Sequence, residues 1–236
     1  MQKANVGICI IASGNYFQTR YVIETLTLKT NITGKIYVSL VKNDDIRLED
    51  YLKAHLDVKE VYTDDFNNPL PVIKNRLINQ VTEKYVCLFP ANVLVNSFWA
   101  ETLIQSHQNV IDSGIIGIRK DTDNVYFKPL LRHHATQDDY LENVLSNDTN
   151  SVEGLIFFEK ELFDRTGRYD ETFCAPGYED MQLSYLFSNN GYNNYYVKGQ
   201  TCLTLTANDE TIYPIKTKDG ENSFNEYKNK TFNTLI

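Results

Sequence analysis

The chain has 236 residues, and its 23 basic and 31 acidic side chains give a formal charge of −8. Hydrophobic residues make up 42% and charged residues 23%, the composition of a globular chain long enough to bury its own core. The acidic balance excludes the basic footprint of a general nucleic-acid binder. No apolar run approaches the roughly 20 residues that cross a bilayer. The apolar run near the start ends in Ser13-Gly14-Asn15, a turn and not a cleavage site, so it reads as a strand and the chain as cytoplasmic. Cys9, Cys87, Cys174 and Cys202 lie far apart without a Cys-x-x-Cys pair, which points to small buried hydrophobes instead of zinc ligands or disulfides.

In chain order, the continuous apolar run 6–12 reads as a strand buried on both faces, followed by a helix over 16–29. A strand over 35–41 ends at the polar turn Lys42-Asn43-Asp44-Asp45. A charged helix over 48–55 and a short strand over 58–62 come next. Leu70, Ile73, Leu77, Ile78 and Val81 then mark one face of a helix over 70–81. A strand over 85–89 meets Pro90-Ala91-Asn92, and a helix over 98–111 opens with Trp99, read as core, before a strand over 115–118. The polar stretch 121–150 reads as a long loop with a short helix near 138–145. Beyond it come a strand over 153–158, a helix over 160–165 capped by Gly167, a helix over 179–190 capped by Gly191, and strands over 195–198 and 201–205. Residues 1–206 are thus expected to form one α/β domain, and 207–236 a polar, aromatic C-terminal tail. Strand–helix alternation makes a mostly parallel sheet covered by helices, and such sheets bind ligands beyond the carboxyl ends of their strands. The segments after Ala12, Val41 and Phe89 are therefore the places to look for a site.

The stretch 152–197 carries the most specific pattern: a strand, a short helix ending at Gly167, then Tyr169-Asp170-Glu171, Phe173, Gly177, Glu179-Asp180, Leu183 and Gly191-Tyr192. In that order these residues resemble the acceptor-side half of family 2 and related GT-A glycosyltransferases, and the upstream strands and turns fit the same family order. The resemblance implies a GT-A fold and transfer of a sugar from a nucleotide-diphosphate donor, UDP-type favoured, to a glycan or glycoconjugate acceptor. It places the nucleotide near Ala12, Ser13, Asn43, Asp44, Asn75, Arg76 and Asn92, and the acceptor near Gly177 and Tyr178. An inverting transfer needs a base for the acceptor hydroxyl. Asp180 is the candidate, with Glu179 orienting its neighbour or the acceptor. As bare residues, Asn43-Asp44 is equally a solvated turn, and Glu179-Asp180 equally an acidic first turn of a helix.

One departure stands out. Members of the family carry Asp-x-Asp where this chain has Pro90-Ala91-Asn92, and those carboxylates hold Mg²⁺ or Mn²⁺. Hard cations want anionic oxygens, and Asn92 offers only a neutral carbonyl. Three readings stay open: a metal-independent enzyme in which basic residues such as Arg132 and His133 stabilise the departing diphosphate, a domain that binds sugar nucleotide, glycan or a partner without catalysis, or a weak cation site at Asn92 completed by Asp64 or Asp65. A homodimer and a partner glycosyltransferase are the associations such a chain would form.

Overall fold

The structure, a computed structural model, describes residues 5–13, 15–29, 35–41, 45–64, 68–121, 141–144, 155–173, 177–205 and 218–233. Nine strands in these residues form a single sheet: β1 (Val6–Ser13), β2 (Ile36–Val41), β3 (Val58–Asp64), β4 (Tyr85–Pro90), β5 (Val93–Leu94), β6 (Ser113–Asp121), β7 (Leu141–Val144), β8 (Leu155–Glu159) and β9 (Asn193–Thr204). The helices are α1 (Tyr16–Lys29), α2 (Ile46–Ala54), α3 (Leu70–Gln80), α4 (Trp99–Gln108), α5 (Lys160–Thr166), α6 (Glu179–Asn189) and α7 (Lys218–Asn233). The strand order is β3-β2-β1-β4-β8-β6-β9-β5, with β7 paired to β9. Strands β3, β2, β1 and β4 run parallel, β8 is antiparallel to both of its neighbours, and β6 runs parallel to β9.

The period-2 alternation of strand side chains divides the core in two. From β1, Val6, Ile8, Ile10 and Ala12 face the layer of α1, α2 and α4, where Val22, Leu48 and Trp99 are buried. Cys9 and Ile11 face the opposite layer, against Ile73 and Leu77 of α3, with Phe163 of α5 and Phe187 of α6 in the same cluster. Strand β4 splits the same way, with Cys87 and Phe89 on one side and Val86 and Leu88 on the other. Because both faces are covered, β1 and β4 read as continuous apolar runs, as expected. Cys9, Cys87 and Cys202 are buried thiols, and burial raises the Cys9 and Cys87 thiols far above their ordinary value. Cys174 lies outside the described residues.

Four elements differ from the sequence reading, the shortest being the two-residue strand β5, which that reading did not contain. Residues 141–144 are a strand paired antiparallel to β9, not a helical turn, because pairing with the long neighbouring strand outweighs local spacing. The two strands expected between 195 and 205 are one strand, β9, whose pairing with β6 changes register between Gly117 and Arg119. The polar stretch after Ala207, to which the sequence reading assigned no element, contains α7, which brings Phe224 and Tyr227 against Phe173, Tyr178, Met181 and Tyr185.

Topology sets which ends meet. Helix α3 follows β3 and leads into β4, so its N-terminal half lies at the carboxyl ends of the parallel strands. Only three residues separate α6 from β9, so α6 runs against β9 and starts at the same end of the sheet. The carboxyl ends of β1, β2 and β4 and the Glu179-Asp180 pair therefore lie at one end of the sheet. No helix among the described residues is long and apolar enough to cross a membrane.

Candidate active site

The acidic pair opens α6. Gly177, two residues upstream, has φ = 82°, a left-handed conformation that Gly enters without penalty and that turns the chain into the helix. Glu179 is buried, and burial lifts its carboxyl above the ordinary range, with nearby Lys74 opposing part of that rise. Asp180 is more open, with 24% of its side chain exposed. Its Oδ1 accepts from Lys74 Nζ at 2.6 Å and from Tyr169 OH at 2.8 Å. Both bonds fall on one oxygen, and no described residue engages Oδ2. The Tyr169 phenol is pushed well above its ordinary value, first by burial and then by the Asp180 charge, so it stays a donor.

Three successive residues of α3 tie this wall to the rest of the site, fanned apart by about 100° per residue. Lys74 is almost fully buried, pairs with Asp180 and sits 5.0 Å from the centre of the Tyr169 ring. Asn75, also buried, donates to the Tyr169 carbonyl at 2.8 Å and to Glu171 Oε1 at 3.0 Å, and accepts from the Tyr169 amide at 3.2 Å. Arg76 pairs with Asp64 at the end of β3 and lies 5.4 Å from the centre of the Tyr62 ring. Asn75 therefore anchors the acceptor-side segment, a contact its expected place beside the nucleotide did not foretell.

On the donor side, Ala12 is fully buried at the end of β1, and Ser13 closes that strand, with only its backbone described. Asn15 caps α1 by accepting from the Gln18 amide at 3.1 Å, and Gln18 Nε2 reaches the Ala91 carbonyl at 3.5 Å. Asp45, the end of the polar turn after β2, caps α2 and pairs with Arg47. Asn43, Asp44, Arg132 and His133 lie outside the described residues, as do Asp65 and His134.

The turn after β4 settles what the visible residues offer a cation. Pro90 closes β4 and the Asn92 carbonyl accepts from the Leu205 amide at 2.7 Å, while Asn92 Oδ1 is buried without a hydrogen-bond partner. Asp64 is engaged by Ser39, Arg76 and Asn68. No group of three His, Cys, Asp or Glu suited to a metal occurs among the described residues. The donor set there does not fit Mg²⁺ or Mn²⁺.

Tyr178, the tyrosine expected beside the acceptor, is buried under Phe224 of α7, with stacked rings 5.9 Å apart. Phe173 and Tyr185 also face Phe224, at 6.4 Å each, and Gln182 Nε2 donates to Tyr227 OH at 3.0 Å. Sequence reasoning missed Lys74 and α7. Lys74 meets its carboxylate 106 residues later, which no local pattern reveals.

No protein-family profile matches the chain, and no curated protein sequence matches it. Solved structures do match in shape. GalNAc-T7 with UDP, GalNAc and Mn²⁺ superposes with a TM-score of 0.67 at 13% identity, covering 87% of this chain and 44% of that one. A mannosyltransferase from Pyrobaculum calidifontis in complex with GDP-Man and Mn²⁺ gives 0.62 at 13% identity, covering 89% and 59%. Residues 1–349 of TarS from S. aureus give 0.56 at 13% identity, covering 85% and 60%. The chain thus spans 44% of the first of these structures and about three fifths of the other two. Its fold is the GT-A fold of glycosyltransferases.

Proposed function

We propose that this chain is a glycosyltransferase that moves a sugar from a nucleotide-diphosphate donor to a hydroxyl of a glycan or glycoconjugate, with inversion at the anomeric carbon. The acceptor oxygen attacks that carbon as the bond to the diphosphate breaks. The acceptor proton passes to Asp180 Oδ2, and the nucleoside diphosphate leaves. Glu179 orients the acceptor or its neighbour, and the nucleotide lies along the ends of β1 and β2, near Ala12, Ser13, Asn43 and Asp44, with a uridine base favoured. The observation that carries this reading is the Asp180 carboxylate, with one oxygen held by two donors and the other engaged by no described residue, at the carboxyl end of the sheet. A base of this kind contributes about 10²–10⁴-fold to rate. The neighbours that bind UDP or GDP-Man support the donor class.

The residues at 90–92 do not form a cation site, so the charge of the departing diphosphate is assigned to basic side chains, with Arg132 and His133 the candidates. The same reading sets the work in the cytoplasm, in the assembly of a surface polysaccharide or glycoprotein. The turn that lacks carboxylates also favours a second reading, a scaffold that binds sugar nucleotide or a partner glycosyltransferase without turnover. Calorimetry with UDP- and GDP-sugars, with Mn²⁺ and with EDTA, tests both. Donor affinity that changes less than about twofold on metal removal, together with turnover, supports the enzyme. Binding without turnover supports the scaffold, and affinity that collapses in EDTA contradicts the metal-independent form.

A further inference from the structure

Lys74 is a charged side chain in an unusual place. It is 6% exposed, on a helix whose neighbouring positions Ile73 and Leu77 belong to the core. A buried ammonium is tolerated only when paired and well bonded. Its partner is Asp180, at 2.6 Å. Tyr169 reaches the same oxygen from another segment, at 2.8 Å, and its phenol is protonated across the working pH range.

Two donors from two elements on Oδ1 fix the orientation of the carboxylate, which a first-turn helical Asp would otherwise sample freely. Tyr169 is itself held, at its amide and its carbonyl, by Asn75. Helix α3 thus sets the Asp180 carboxylate by two routes, directly through Lys74 and indirectly through Asn75 and Tyr169. Of the two oxygens, this arrangement occupies Oδ1, and no described residue occupies Oδ2.

We infer that Lys74 and Tyr169 are positioning residues for the reaction, which hold Asp180 so that Oδ2 receives the acceptor proton. This rests on the reading of Asp180 as the base. The rival role for Lys74 is a direct ligand of the anionic donor, and the two roles separate experimentally.

Full-length Lys74→Met, Lys74→Arg and Tyr169→Phe chains are compared with the wild type for kcat, donor affinity by calorimetry with a UDP-sugar, and the Asp180 ¹³Cγ resonance. That resonance is identified by its disappearance in Asp180→Asn. Misplacing a catalytic group by about 1 Å costs on the order of 100-fold, so Lys74→Met should lower kcat about 10–100-fold. Donor affinity should stay within about twofold, Lys74→Arg should recover most of the rate, and Tyr169→Phe should lose less than Lys74→Met. A Lys74→Met chain that keeps its kcat, or that loses donor affinity in its place, overturns the inference. If the wild type transfers no sugar, the reading of Asp180 as a base fails and the resonance still decides the placement. It should move in Lys74→Met and Tyr169→Phe and stay in place in Lys59→Met, a change on β3 whose ammonium bonds to Tyr37 and Thr82. A resonance that stays in place in all three overturns it.

Discussion

The donor-side strand ends and the acceptor-side helix start both gather polar residues, and they use them differently. On the donor side the visible groups are consumed locally: Asn15 and Asp45 cap helices, and Asp64 is closed by Ser39, Arg76 and Asn68. At the turn after β4 the side chains offer a proline ring and a single amide oxygen. On the acceptor side, long-range contacts converge on one carboxylate, and the segment that carries Tyr169 is bolted to α3. The wall that carries Asp180 is thus built from contacts across the chain, while residues 90–92 bring no carboxylate to the other wall. Among the described residues, α3 is the element whose side chains reach both walls.

If α3 is the shared piece, breaking its bond to the acceptor wall has the largest effect on stability. Asn75→Ala strands the buried amide and carbonyl of Tyr169, and each unsatisfied group costs about 1–3 kcal/mol, so a loss of roughly 2–6 kcal/mol is expected. Urea unfolding measures it as a lower midpoint with an unchanged slope. A midpoint within error of wild type would show that the walls are not joined there.

A smaller effect sharpens the outer limit of the acceptor wall. Phe224 stacks on Tyr178 and packs against Phe173 and Tyr185. Phe224→Ala removes the main aromatic anchor of α7 and should cost about 1–2 kcal/mol, below the value for a deep core Phe because one peripheral helix is affected. Amide hydrogen exchange should accelerate throughout α7 while α3 keeps its protection. Unchanged exchange in α7 would remove that helix from the wall.

The smallest effect follows from the Glu179 carboxyl, which burial raises above its ordinary 4.5. Between that value and the raised folded-state value, the native chain holds the proton more than the unfolded chain does. Stability contributed by this group therefore falls as pH rises through the window. Glu179→Gln removes the charge, so it should raise the melting temperature at pH 7 and lose that advantage as pH falls to 4.5. A gain that persists at pH 4.5 would place the effect elsewhere.

The fold was legible because β1 and β4 are covered on both faces and read as unbroken apolar runs, and because Leu70 to Val81 marks one face of α3. The acidic pair was legible through the ordered motif from Gly167 to Tyr192. Partners met only in three dimensions were not. Nothing in the local pattern links Lys74 to Asp180 or Asn75 to Tyr169, because those partners lie 94 or more residues downstream. Strand β7 was misread because Leu141 and Val144 carry helical spacing and only β9 supplies the pairing. Helix α7 has mostly exposed polar positions, and the aromatic patch that receives its Phe224 and Tyr227 comes from α6 and the segment before it.

In the proposed reaction Asp180 Oδ2, which no described residue engages, takes a proton from the acceptor during transfer. Measuring kcat and donor affinity in Asp180→Asn, which keeps the size and loses the charge, tests it most directly. A fall in kcat of about 100-fold or more with donor affinity essentially unchanged is expected. Turnover equal to wild type would contradict it.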